Sequence, residues 1–324
     1  MPKVLIIGAT GYLGSRLCDV LLRSGQHRVY GIARSETKAR SLALAEITPV
    51  ICPDPINNPA AYLDAIRNFH IDIVVDVSGA NQNSAQFLAD IKSIGQERLN
   101  NAKLACLTHM PKLGFVYCSG TWVHGSSDKQ VNDMDVVGPN APTPPAQLVA
   151  WRVDHENAVL AASDVLDVAV IRPALIYGGE STIWTPFILP LLRASRGGSS
   201  NNVQIPLSVD CRPGLVHVDD VATGFQKALE KLALINGGSV YPVFDLVTSR
   251  ESMTEIISAL ASHWGYKGRY ELVGPGDDLF AEAMGTSLRG SSDRAKQLLG
   301  WTPTRLNGFV ADMDIYADAF ASQH

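Results

Sequence analysis

The chain has 324 residues, of which 46% are apolar and 18% charged, with a formal net charge of −5. That is enough apolar material for a large core and too little charge for disorder. An acidic balance without a basic run argues against a nucleic-acid or anionic-membrane surface, since both call for clustered Lys and Arg.

The predicted elements begin with Val4–Ile7, an apolar run ending at Gly8. Tyr12–Arg23 follows as a helix, with Leu13, Leu17, Val20 and Leu21 at helical spacing. Arg28–Ala33, Asp72–Val77, Leu113–Cys118 and Val165–Ile171 read as further strands. Between them lie helical stretches at Pro59–Asn68, Asn83–Leu107 and Val149–Ala162. Such alternation, with strands apolar on both sides, predicts an α/β fold: a doubly wound parallel sheet covered on both faces. After Pro173 the texture changes. Residues 178–202 are rich in Gly, Ser and Pro, Cys211–Ala233 returns to strand then helix, and Met253–Trp264 and a segment after Asn307 read as late helices. The expected division is a nucleotide-binding core of residues 1–177 and 214–238, with a smaller C-terminal substrate lobe of 178–213 and 239–324.

The five cysteines (Cys18, Cys52, Cys106, Cys118 and Cys211) show neither CxxC nor Cys/His ligand spacing. They predict buried thiols in a reducing compartment and no metal site. His217-Val-Asp219-Asp220 reads as a strand end and helix cap rather than a ligand set. No run of about eighteen apolar residues predicts a membrane span, and Val4–Ile7 is too short for a signal-peptide core. The cytoplasm is the default expectation, with a small molecule as partner rather than a nucleic acid or a membrane.

The strongest local signal is Gly8-Ala-Thr-Gly11-Tyr-Leu-Gly14, directly after a strand and opening a helix. Glycine permits the tight turn and lets backbone N–H groups approach a pyrophosphate, and the third glycine lets helix pack on strand. The helix N-terminus adds partial positive charge. A dinucleotide is therefore expected against Gly8, Thr10, Gly11, Tyr12 and Leu13. The GK[ST] phosphate loop is absent, which disfavours a nucleoside triphosphatase. At the end of the second strand, where NAD sites usually place Asp or Glu, this chain has Arg34-Ser35 and no carboxylate before Glu36. A guanidinium suits a ribose 2′-phosphate, so NADP(H) is expected over NAD.

The GxxGxxG spacing resembles the extended short-chain dehydrogenase/reductase family, of the NAD-dependent epimerase/dehydratase type. Four further stretches agree: Tyr117–Gly125, Ile171–Gly178, Val216–Ala222 and Ser292–Pro303. The likeness covers nearly the whole chain. It implies a Rossmann core with the cofactor extended across the strand carboxyl ends, Asp54 near the adenine, and Ser78, Gly79 and Ala80 beneath the cofactor. It places Pro173–Leu175 beside the nicotinamide and Ser119 where a substrate oxygen is polarised. Members often form dimers through core helices, and a homodimer is the corresponding expectation, with no independent signal in the residues.

The chain departs from the family at its proton donor. Family enzymes usually carry Tyr and Lys four residues apart at a helix start. Aligned on His155-Glu156, these positions hold Leu148 and Arg152. Leucine transfers no proton, and Arg152 can hydrogen-bond a ribose but not deprotonate. The remaining proton-transfer candidates are Ser119, Thr121, His124, His155 and Tyr177. His124 is either an acid–base or a pocket-lining residue. His155 acts only if it faces the cleft, and Tyr177 either reaches the substrate or packs. Thr121, Trp122, Tyr177 and Trp184 are the expected substrate contacts, and Trp122, Trp151 and Trp184, near loops bordering the pocket, suggest an apolar or aromatic substrate. The expected function is an NADP(H)-dependent oxidoreductase acting on a small or polycyclic carbonyl or alcohol. Two alternatives stand beside it: a non-redox isomerase, dehydratase or cyclase, and a non-catalytic NADP(H)-binding regulator.

Overall fold

The computed structural model describes residues 1–79, 83–197, 202–238 and 240–324. Ala80, expected beneath the cofactor, lies outside the described residues. The main sheet has seven strands, all paired in parallel: β1 (Lys3–Ile7), β2 (Arg28–Ala33), β3 (Thr48–Ile51), β4 (Ile73–Asp76), β5 (Leu113–Cys118), β6 (Leu166–Pro173) and β7 (Val243–Leu246). Their order is β7-β6-β5-β4-β1-β2-β3. From β1 the chain adds β2 and β3 on one side and then β4 to β7 on the other, so the strand order reverses there. Ligands of open α/β sheets bind at that switch point, outside the strand carboxyl ends.

One face is covered by α1 (Tyr12–Arg23), α2 (Glu36–Leu44) and α7 (Val218–Gly237); Leu17, Leu21, Leu42, Phe225 and Leu229 pack there against Val4, Ile6 and Val116. The other is covered by α3 (Ala60–Asn68), α4 (Ser84–Leu104) and α5 (Trp151–Ala161), through Tyr62, Phe87, Ile91 and Val159 against Leu5, Val74 and Phe115. The doubly wound expectation is met, and the reason is the one visible in the sequence: strands apolar on both sides demand cover on both sides.

Two elements of the core leave little trace in the pattern. Helix α2 buries only Ala39 and Leu42, and β3 carries Pro49 at the sheet edge, where a missing N–H costs nothing. Within the Gly/Ser/Pro-rich stretch lies α6 (Thr185–Gly197), which buries Phe187, Ile188, Leu191 and Leu192 despite Pro190 inside it. One boundary needs correction. The stretch 239–324 contains β7, which pairs with β6 as the sheet's edge strand, and Leu299 and Trp301 pack in the same core as α1 and α7. That segment therefore serves both bodies.

The lobe is built from α6, α8 (Met253–His263), α9 (Leu279–Met284), α10 (Gly308–Ala311) and α11 (Met313–Gln323) around a separate apolar cluster. Strand Val203–Ile205 pairs in parallel with Tyr270–Leu272. Among the described residues, no helix is long and apolar enough to cross a membrane.

Candidate cofactor and substrate site

β1 delivers the chain into a turn at Gly8, whose φ of +94° lies in the left-handed region. A Cβ on Gly8 would stand 2.6 Å from Ser78 Cα, and one on Gly14 would stand 2.0 Å from the Gly8 carbonyl oxygen. The turn is closed by the Gly11 N–H donating to Gly8 O at 2.8 Å. Helix α1 then starts at Tyr12 with no side-chain cap, so its first N–H groups and its dipole face the carboxyl edge of the sheet. The Leu13 side chain points into the core, which leaves only its backbone for a phosphate. The Tyr12 hydroxyl donates to the Gly178 carbonyl and ties the loop after strand Leu175–Tyr177 to this turn.

At the end of β2, Arg34 is exposed, and Ser35 caps α2 by accepting from the Lys38 N–H at 3.3 Å. Lys38 lines a cavity of about 480 Å³ together with Thr10, Ser15, Arg16, Asp19 and Glu180. Neither Arg34 nor Lys38 has a carboxylate partner among the described residues. Lys38 is absent from the expectations, although a second cation one helical turn after Arg34 is a readable signal. Asp54 accepts from the Asn57 backbone and side chain at 3.0 and 2.9 Å. Ser78 donates through N and Oγ to buried Asp76 at 3.0 and 2.6 Å, which fixes the turn leading to Gly79. Burial raises the Asp76 carboxyl above the usual carboxylate range.

At the end of β5, Ser119 is buried and its Oγ has no hydrogen-bond partner among the described residues. Its N–H donates to Ile171 O at 2.8 Å, holding it beside β6. Arg152 comes in from the first turn of α5, and its Nη1 stands 3.0 Å from where a Cβ on Gly120 would lie. Arg152 Nε is buried and unpartnered among the described residues. Pro173 O faces the same Gly120 position at 3.6 Å. Leu175, two residues on, belongs to the lobe core. Burial pushes the Cys118 thiol up to about 12, so it is no thiolate nucleophile. Leu148 is 36% exposed on the short turn Gln147–Val149, against which α9 packs.

Several expected site residues sit elsewhere. His124 is 2% exposed, and its Nε2 donates to Asp245 at 2.7 Å; it belongs to the interior, not to an open cleft. The Tyr177 ring stacks on Phe309 at 4.9 Å and meets Tyr316 and His217 edge-on. Trp184 donates to Ile176 O at 2.9 Å and packs on Phe309. Both aromatics are lobe core, because partners far along the chain fill the space around them. Thr121 is buried, while half-buried Trp122 meets Phe280 edge-on at 6.4 Å, so of the expected aromatics only Trp122 and Trp151 keep exposed surface. His217 caps α7, its Nδ1 accepting from the Asp219 N–H at 3.2 Å.

His155 faces neither cleft nor solvent. Its ring lies 4.5 Å from Tyr117, edge-on, and 6.2 Å from Trp151. Burial holds its pKa below the ordinary histidine range, with Arg152 adding to the effect and Glu156 opposing it. A depressed histidine pKa means that the unfolded chain binds the extra proton, so stability falls as pH drops below about 6.5. Urea unfolding from pH 8 to pH 5 is expected to show a shallower acid loss for His155→Phe than for the parent. Identical slopes would remove His155 from that account.

A parallel doubly wound sheet with a glycine turn at its switch point defines a Rossmann-type protein. A family model, the NAD dependent epimerase/dehydratase family, matches residues 4–243, and the chain belongs to that family. No match is found among curated protein sequences. Similar solved structures include dTDP-glucose 4,6-dehydratase from Bacillus anthracis str. Ames in complex with NAD, at 17% identity, TM-score 0.71, covering 100% of this chain and 98% of that one. UDP-glucuronic acid 4-epimerase from Bacillus cereus in complex with NAD shows 18% identity, TM-score 0.68 and 99% coverage of both chains. A putative epimerase from Burkholderia cenocepacia J2315 shows 20% identity, TM-score 0.68, and 99% and 98% coverage. Identities this low speak for the shared fold alone.

Proposed function

We propose that this chain binds NADP(H) and serves as an oxidoreductase on a small or polycyclic carbonyl or alcohol. The observation that carries the cofactor choice is the end of β2, where Arg34 is exposed and Lys38 follows one turn into α2 on a cavity that Thr10 also lines, neither cation paired with a carboxylate among the described residues. They suit a 2′-phosphate, and an Asp or Glu for the ribose 2′-hydroxyl of NAD is missing there. The NAD bound in the similar dehydratase and epimerase supports a dinucleotide lying across this edge of the sheet.

When bound, the nicotinamide supplies or accepts the hydride. The chain's own part is to position and polarise. Arg152, with its unpartnered Nε, holds the nicotinamide ribose. The unpartnered Ser119 Oγ donates to the substrate oxygen. Trp122 and Leu148 give that oxygen's neighbourhood an apolar wall. With Leu148 in the usual phenol position and His124 engaged by Asp245, exchange of the substrate proton is left to water.

Leu148 favours a second reading, a regulator that reads NADP(H) occupancy without turnover. Isomerisation or dehydration on this fold needs a proton shuttle as much as reduction does, so the same residue weighs alike on the redox and the non-redox enzyme. A screen of carbonyl compounds for NADPH consumption separates the readings. Turnover is expected, and Ser119→Ala should lower kcat about 100-fold, the scale of a lost oxyanion donor. Tight NADPH binding with no turnover on any compound would favour the regulator.

A further inference from the structure

Helix α5 is eleven residues long and starts without a side-chain cap. Its first turn carries Arg152, so something other than a cap must fix the angle at which that turn meets Gly120. One turn on, and on the same face by i,i+4 spacing, Glu156 enters a buried ionic chain. Arg172 on β6 donates through Nε to both Glu156 oxygens at 3.1 Å and through Nη2 to one of them at 2.5 Å. Its Nη1 stands 3.8 Å from Asp245 on β7, the residue directly opposite it in the parallel register. Asp245 accepts from His124 at 2.7 Å, and the Asp245 N–H is held by Asp133, itself paired with Arg294 at 2.9 Å. Glu156, Arg172, Asp245 and His124 are all 2% exposed or less.

We propose that the Glu156–Arg172–Asp245–His124 chain is a positioning device that locks the Arg152 turn of α5 and the Ser119–Gly120 end of β5 in one fixed relation across the nicotinamide-ribose end of the site. The inference rests on the reading of Arg152 as the ribose contact. His124 ends the turn that begins just after Gly120, and Glu156 sits one turn after Arg152. The two walls thus meet at adjacent residues on β6 and β7 through an ion-pair approach, since Arg172 Nη1 and Asp245 Oδ1 have no hydrogen-bond partner among the described residues. A buried ion pair is often no more stabilising than apolar residues of the same volume, so stability alone gives no reason for four charged or polar side chains here. Directional forks give one, because a bidentate guanidinium–carboxylate pair fixes an angle that apolar packing leaves soft.

The test compares NADPH with adenosine 2′,5′-bisphosphate, which carries the 2′-phosphate end but no nicotinamide ribose. Glu156→Gln should weaken NADPH about 10-fold, the scale of one charge-assisted hydrogen bond, and leave the bisphosphate within about twofold. Arg152→Ala should do the same, and the double variant should bind NADPH no worse than Arg152→Ala alone. Arg172→Lys, which keeps the charge and loses the fork, replaces Glu156→Gln if that variant does not fold. Equal losses for both ligands, unchanged NADPH affinity, or losses that multiply in the double variant would each overturn the proposal. A parent protein that binds neither ligand removes the cofactor reading, and the positioning role with it.

Discussion

Arg34→Asp is expected to weaken NADPH binding by about 100-fold while leaving NADH within a few-fold of the parent. The change removes a charge-assisted contact to the 2′-phosphate, of the order of 1.5–3 kcal/mol, and sets a carboxylate against the phosphate. The same carboxylate can accept from the 2′-hydroxyl of NADH, as acidic residues at this place do, so NADH binding has no reason to fall. Lys38→Ala should reduce NADPH affinity by about 10-fold without touching NADH. Competition between the two cofactors, followed by protein fluorescence, reads both changes. Equal effects on NADPH and NADH would detach Arg34 from the 2′-phosphate.

Arg172→Met should be the most destabilising of the substitutions considered. It leaves Glu156 and Asp245, 2% and 0% exposed, without their shared cation, and breaking a buried pair on one side costs about 3–5 kcal/mol. Urea unfolding near neutral pH measures it. Adding Glu156→Leu should recover part of the loss, since an apolar pair spares the desolvated charge. A loss under about 1 kcal/mol for Arg172→Met would mean that the carboxylates find water or one another's protons, and that the ionic chain is not the tight unit described.

What the sequence discloses and what it hides divide along chain distance. The glycine turn is legible because strand, turn and helix are contiguous, and the left-handed φ of Gly8 is a demand that only that residue type meets cheaply. The parallel sheet is legible because its strands are apolar on both sides. Leu148 and Arg152 are expected to be departures only through their offset from His155-Glu156, a reading that rests on the resemblance. The partner of His124 is not, since Asp245 lies 121 positions away and no local pattern announces it. Tyr177 and Trp184 look like pocket residues beside a glycine-rich loop, and only Phe309 and Tyr316, more than a hundred positions later, show that they are core. Pro190 conceals α6 because proline in mid-helix normally argues against one; here the buried side chains outweigh the lost bond. The late strand β7 is too short to declare which body it joins, and its place follows from pairing with β6.

Equilibrium titration of the wild-type protein with NADPH and with NADH, at one ionic strength, addresses the central claim most directly. Binding of both is predicted, with NADPH tighter by about 10-fold or more, as two cations on one 2′-phosphate require. Equal affinity for the two would contradict the assignment of Arg34 and Lys38. No affinity for either would contradict the placing of a pyrophosphate at the Gly8–Gly14 turn.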